Sequence, residues 1–208
     1  MIILNTIAFD SSHIHWDRFS KPKETKQIEF QFKPGVNVVI GHNGAGKSTL
    51  LKSVREYLFG KSKPNGICIS STKSDDKEMV YFFMSEDNIP SLNLNQITPF
   101  DQNFMHKTVY WMDRKEMSSG MNTNAMLKEA EKLSKEASLV FFDEPEQALD
   151  AKAMIQLQKM IKKIAKHSQV VLVTHHPALI LMKGVNIIEI NEEQPYLDDV
   201  KTLVSGLM

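Results

Sequence analysis

The run Gly41-His42-Asn43-Gly44-Ala45-Gly46-Lys47-Ser48-Thr49 follows the β-branched segment Val36–Ile40 and opens the helical stretch Lys47–Phe59. Glycine, four residues, glycine, lysine and a hydroxyl residue in that order, between a strand and a helix, form a phosphate-binding loop. The physics dictates the order. Glycines let the backbone amides turn toward an anion, and the helix N-terminus adds the positive end of its dipole. Lys47 supplies a point charge for outer phosphates, and Ser48 offers a hydroxyl to Mg²⁺. Gly41, Asn43, Gly44, Ala45, Gly46, Lys47, Ser48 and Thr49 are therefore the expected phosphate-binding residues.

A strand that delivers such a loop needs a sheet around it, and the rest of the chain supplies one. Ser138–Phe142 and Val170–Thr174 are apolar runs of the kind buried on both faces, and Ile187–Ile190 is a shorter one. Helical patterning covers Ala151–Lys166 and a C-terminal segment near Tyr196–Leu207. Apolar strands alternating with helices predict an α/β fold with a mostly parallel sheet covered on both faces. Ile2–Phe9 and Ile28–Phe32 read as two early antiparallel strands, with Ile67-Cys68-Ile69 and Met79–Met84 as two more. Residues 85–137 turn irregular around Pro90 and Pro99, then regain helical spacing after Gly120, which predicts a reduced helical subdomain there.

The 208 residues suit one domain, residues 1–208, with its own core. Twenty-five basic residues balance 25 acidic ones, so overall charge gives no strong pull toward nucleic acid or anionic lipid. Cys68 is the single cysteine, which excludes an internal disulfide framework, fits a reducing cytoplasm, and reads as a small apolar strand residue. No run approaches the roughly 18 apolar residues of a membrane-spanning helix, and the first residues read as a strand rather than a leader. The histidines have no cysteine partners at zinc-ligand spacing.

A second chemical feature lies where Leu139-Val140-Phe141-Phe142 runs into Asp143-Glu144-Pro145. A buried strand thus delivers two carboxylates to the carboxyl edge of the sheet, where ligands bind in such folds. Their side chains point in different directions. Asp143 is placed to serve a Mg²⁺ shell, and Glu144 to orient or deprotonate a water near a terminal phosphate.

Together with Ala148-Leu149-Asp150 and Val171-Leu172-Val173-Thr174-His175, these motifs resemble the ABC-type ATPase superfamily over nearly the whole chain and in the same order. The resemblance implies ATP as ligand, Mg²⁺ as cofactor, hydrolysis as activity, and a homodimer that closes around two ATP molecules. It implies that His175, rather than His176, is the switch residue at the γ-phosphate, and that Asp150 belongs to a turn facing the opposite subunit. It implies an aromatic residue against the adenine upstream of the phosphate loop, a place that Trp16 or Phe19 could fill. Met117-Ser118-Ser119-Gly120-Met121 looks like a degenerate signature loop, in which Ser118 and Gly120 would reach the partner's ATP.

One departure bears on output. Transporter members carry a glutamine after the strand that leads into the helical subdomain, and Met79–Glu86 has none. This weakens the reading as a transporter subunit, whose permease would be a separate chain, and leaves ATP binding untouched. The Ser-Ser-Gly loop also resembles stand-alone ATPases of bacteria and phages. The expectation is a soluble, ATP-dimerised switch; the alternatives are a transport module and an ATP-gated module that binds nucleic acid or another effector.

Overall fold

The computed structural model describes residues 2–19, 24–60, 62–73, 79–83, 128, 131–132, 135, 137–190 and 195–206. Strands β1 (Ile2–Asp10), β2 (Gln27–Gln31) and β4 (Ile67–Lys73) form an antiparallel sheet in the order β2-β1-β4. Strands β3 (Val36–Ile40), β5 (Met79–Phe83), β6 (Ala137–Asp143), β7 (Gln169–Val173) and β8 (Asn186–Glu189) form a parallel sheet in the order β5-β6-β7-β3-β8. The expected α/β architecture, with its N-terminal antiparallel part, is what the chain adopts.

Every residue of β3, β6 and β7 is buried, and the period of two along a strand explains why. Val38, Ile40, Val140, Phe142, Val170 and Leu172 face one core. Val39, Leu139, Phe141, Val171 and Val173 face the other. Helix α2 (Ala151–Ile164) covers the first face with Met154, Leu157, Ile161 and Ile164, and α3 (Pro177–Ile180) and α4 (Tyr196–Ser205) add Leu179, Ile180 and Val200. Helix α1 (Lys47–Phe59) and the antiparallel sheet cover the second with Leu50, Leu51, Val54, Leu4, Ile7 and Phe9. A fully buried side chain of this size contributes about 1.5–3 kcal/mol.

Local signals set the helix ends. In α1 the buried positions Lys47, Leu50, Leu51 and Val54 follow helical spacing, and the Gly60 amide closes the helix on the Glu56 carbonyl at 2.7 Å. In α2 the Asp150 carboxylate caps the N-terminus by accepting from the Ala153 amide at 2.7 Å, and Lys162 and Lys163 suit the dipole at the far end. That helix stops at Ile164, slightly short of the expected Lys166.

The two sheets are joined by a buried glutamine. The Gln169 side chain accepts from the Leu4 amide at 2.7 Å and donates to the Leu4 and Lys33 carbonyls at 2.9 Å each. Asn37, also fully buried, exchanges hydrogen bonds with the Lys33 amide and carbonyl at 2.8 and 2.7 Å. Each polar side chain satisfies backbone groups that the junction would otherwise bury unpaired.

Cys68 lies on a strand as expected, β4, and is exposed there. Helix α3 was not foreseen. The expected helical subdomain at 85–137, including Ser118 and Gly120, lies largely outside the described residues; of it, Lys128, Glu131 and Lys132 are helical and β6 begins at Ala137.

Candidate functional site

The loops that leave the carboxyl ends of β3, β6 and β7 are neighbours because those strands are neighbours in the sheet. They bound a cleft of about 430 Å³ lined by Asp17, Arg18, Asn43, Gly44, Gly46, Lys47, Ser48, Thr49, Glu144 and His175. Lys47, Ser48, Glu144 and His175 are thus brought together from three separate loops.

The loop Gly41–Gly46 has the backbone its glycines permit. Gly46 sits at φ 102° as the N-cap of α1, a left-handed conformation that a β-carbon would strain. A β-carbon there would also stand 2.8 Å from Cδ1 of Phe19 and 2.9 Å from the Arg18 carbonyl oxygen. Residues 18–19 therefore leave no room for a side chain at position 46, at the start of α1.

Lys47 is 5% exposed, and its ammonium donates to the Gly41 and His42 carbonyls at 2.8 Å each. Burial lowers its pKa, while the carboxylates of Glu144 and Asp143 oppose that shift. The charge is thus held inside the loop, facing two acids. At the end of β6, Asp143 is buried, and Ser48 Oγ lies 3.4 Å from its Oδ1. A hydroxyl and a carboxylate side by side are hard oxygen donors, a set that fits Mg²⁺, which takes one or two protein ligands and fills its shell with water and phosphate oxygens. Among the described residues no group of three or more His, Cys, Asp or Glu is gathered as a metal site.

Glu144 follows Asp143 in a left-handed conformation, φ 45°, with its amide bonded to the Val173 carbonyl at 2.9 Å. One carboxylate oxygen accepts from Gln147 Nε2 at 2.7 Å, and the other lies 3.3 Å from His175 Nε2. His175 is held on its other side, with Nδ1 3.4 Å from the Tyr196 hydroxyl. Its pKa is lowered, first by burial and then by Lys47, against the pull of Glu144, so the neutral ring is favoured.

Glu146 supports this arrangement from below. Its carboxylate accepts from the Thr174 hydroxyl and, at 3.3 Å, from the His175 amide. Burial raises its pKa above the usual carboxylate range, with the hydrogen bonds from Thr174 and His175 opposing. The second oxygen is buried and has no hydrogen-bond partner among the described residues.

The two aromatic candidates differ in exposure. Phe19 is 2% exposed and packs on Phe9 with ring centroids 4.6 Å apart. Trp16 is half-buried against the same core, and from its turn Asp17 and Arg18 line the cleft. Asp150 stands as the N-cap of α2, and His176 as the side-chain cap of α3. Sequence reasoning missed Asp17, Arg18, Glu146, Gln147 and Tyr196. Only Glu146 and Gln147 carried a signal, as polar residues directly after the acidic strand end.

A family model described as an AAA domain matches residues 16–194. An uncharacterised ABC transporter ATP-binding protein of Methanocaldococcus jannaschii is 30% identical over 163 residues, 65% of this chain and 56% of the relative, so the chain spans little more than half of that protein. Among solved structures, a dimeric ATP-binding cassette in a post-hydrolysis state, bound to ADP and Pi, superposes with a TM-score of 0.54 at 17% identity, covering 92% of this chain and 97% of that one. The ATP-binding subunit of an ABC transporter superposes with a TM-score of 0.53 at 17% identity, covering 97% and 94%. At such identities the structural likeness is one of fold.

Proposed function

Because the chain belongs to the AAA domain family and has the fold of an ABC-type ATPase nucleotide-binding domain, we propose that it is a Mg²⁺-dependent ATP hydrolase working as an ATP-dimerised switch. The observation that carries the reading is the placement of Glu144 and His175, 3.3 Å apart, on the wall of the cleft that also holds Lys47. A chain that only bound nucleotide would need the loop and its lysine but no paired acid and imidazole beside them.

In this reading the amides of the phosphate loop surround the β-phosphate, and Lys47 exchanges its two carbonyl partners for phosphate oxygens. Ser48 and Asp143 would hold Mg²⁺, which supplies positive charge against the phosphate oxygens. Glu144 orients a water toward the γ-phosphorus and accepts its proton. His175 presents Nε2 to the same region, where its N–H stabilises charge on the γ-phosphate oxygens. Lys47 and His175 act by electrostatic positioning rather than covalent chemistry, as phosphoryl transfer requires. By the family resemblance, Ser118 and Gly120 of a second copy would close over the same ATP, and Asp150 would face that copy. The dimeric, ADP- and Pi-bound structural neighbour supports this arrangement.

Glu144→Gln tests it. The variant keeps the Gln147 and His175 contacts within reach but removes the base, so Mg-ATP should shift it to a dimer in size-exclusion chromatography with light scattering. A monomer at saturating Mg-ATP would refute the dimer switch.

A second reading, the ATP-driven subunit of a transporter, is favoured by the name of the archaeal relative. No helix among the described residues is long and apolar enough to cross a membrane, so the permease would be a separate chain. Pull-down with tagged Glu144→Gln protein separates the two: a permease retained only with Mg-ATP supports transport, and a soluble effector supports the stand-alone switch.

A further inference from the structure

Outside the cleft lining, Tyr196 touches both the loop after β3, at His42, and His175 after β7. The sheet fixes its position. Glu189, at the end of β8, accepts from the amides of Tyr196 and, at 3.1 Å, Leu197, and so anchors the first turn of α4. The Tyr196 ring then stands edge-on between two histidines, with centroids 5.2 Å from His42 of the phosphate loop and 6.0 Å from His175. Its hydroxyl meets His175 Nδ1 at 3.4 Å.

The two nitrogens of His175 face partners of opposite character. Glu144 Oε1, 3.3 Å from Nε2, is a carboxylate oxygen and can only accept when ionised. A neutral imidazole facing it must carry its proton on Nε2, which leaves a lone pair on Nδ1 that needs a donor. The Tyr196 hydroxyl is a donor at that place. Resting on the hydrolase reading above, we propose that Tyr196 is a positioning residue for the reaction: it holds the His175 ring in place and fixes the Nε2–H tautomer, so that the proton faces Glu144 and the γ-phosphate.

The burial that lowers the His175 pKa makes this choice matter. A charged ring has a proton on both nitrogens and needs no tautomer selection, whereas a neutral one does. Ring orienters of this kind act by fixing which nitrogen bears the proton. The arrangement also ties the C-terminal helix to the site, since displacement of α4 would remove the donor from the switch histidine.

Tyr196→Phe removes the hydroxyl and keeps the ring against His42. The test uses the full chain labelled with ¹⁵N-histidine, the His175 signals being assigned by their loss in His175→Ala. The wild-type ring should show an unprotonated Nδ1 and a protonated Nε2, and Tyr196→Phe should show a mixture of tautomers. In steady-state turnover, kcat should fall about 2- to 10-fold, the equivalent of one neutral hydrogen bond, with KM for ATP changed less than about twofold. In a His175→Ala background the same substitution should have no further effect on turnover. An unchanged tautomer in Tyr196→Phe, or an equal loss of kcat with and without His175, would overturn the proposal. The tautomer is read without turnover, so a chain that failed to hydrolyse ATP would refute the hydrolase reading while leaving Tyr196 independently tested.

Discussion

Replacing Gly46 by alanine should do more damage than replacing Gly44, and the structure gives the difference. Both residues have left-handed backbones, φ 102° and 79°, so each alanine carries a conformational strain of about 1–2 kcal/mol. Each substitution also removes a similar amount of unfolded-state entropy, which cancels in the comparison. The surroundings differ. Among the described residues a β-carbon on Gly44 meets nothing within 4 Å, whereas one on Gly46 falls 2.8 Å from Phe19 and 2.9 Å from the Arg18 carbonyl oxygen. Phe19 is core and the carbonyl is backbone, so neither yields as a flexible side chain would. Overpacking of this kind adds about 1–3 kcal/mol. For a chain of this size each kcal/mol moves Tm by roughly 2–4 °C, so Gly46→Ala should melt roughly 2–12 °C below Gly44→Ala. Thermal unfolding followed by circular dichroism reads both variants side by side. Equal melting temperatures would refute the claim that residues 18–19 leave no room for a β-carbon at position 46.

The junction between the sheets gives another prediction. Gln169→Leu leaves the Leu4 amide and carbonyl buried without their side-chain partner and should lower stability by about 2–4 kcal/mol in urea unfolding; a loss below about 0.5 kcal/mol would mean that the junction does not depend on this side chain. Glu146 gives a pH dependence. Its folded pKa is raised above the unfolded value by burial, so between the two values the native state binds more protons than the unfolded one, and its stabilising contribution is lost as pH rises through the folded pKa. Glu146→Gln keeps an acceptor for Thr174 and His175 without the titrating charge, so its stability relative to the wild type should increase from pH 4.5 upward. A difference that stays flat with pH, measured by urea titrations, would contradict the buried-acid assignment. For the metal site, Ser48→Ala removes one of two proposed Mg²⁺ donors and should raise the Mg²⁺ concentration for half-maximal ATPase activity about 10- to 100-fold; an unchanged Mg²⁺ dependence would exclude the hydroxyl as a donor.

Sequence patterns exposed the parts of this protein that repeat with a simple period or mark a strand end. Val36–Ile40, Leu139–Phe142 and Val170–Val173 are apolar because both faces of their sheet are covered, and α1 and α2 show helical spacing because one face of each is buried. The Gly41–Thr49 loop and Asp143-Glu144 stood out for a related reason: both lie at the carboxyl ends of such strands. Features made by distant partners were not. Gln169 reads as a polar residue opening an apolar strand, and its partner Leu4 lies 165 positions away. Tyr196 reads as one aromatic in a C-terminal helix, and nothing local links it to His175, 21 positions earlier. Cys68 was placed on a strand, but a short run such as Ile67-Cys68-Ile69 does not say which face of an edge strand meets solvent. The cleft wall near Trp16 was narrowed to an aromatic by the family pattern, although the turn also carries Asp17 and Arg18 into the lining.

The central claim is that Glu144 makes this fold an ATP hydrolase, and single-turnover hydrolysis of γ-³²P-ATP with excess protein tests it most directly. The wild-type chain with Mg²⁺ should release labelled phosphate. Glu144→Gln should bind ATP with similar affinity and release phosphate about 10²- to 10⁴-fold more slowly, the range of a lost general base. Equal rates in the two proteins, or ATP bound by the wild type with no phosphate released, would contradict it.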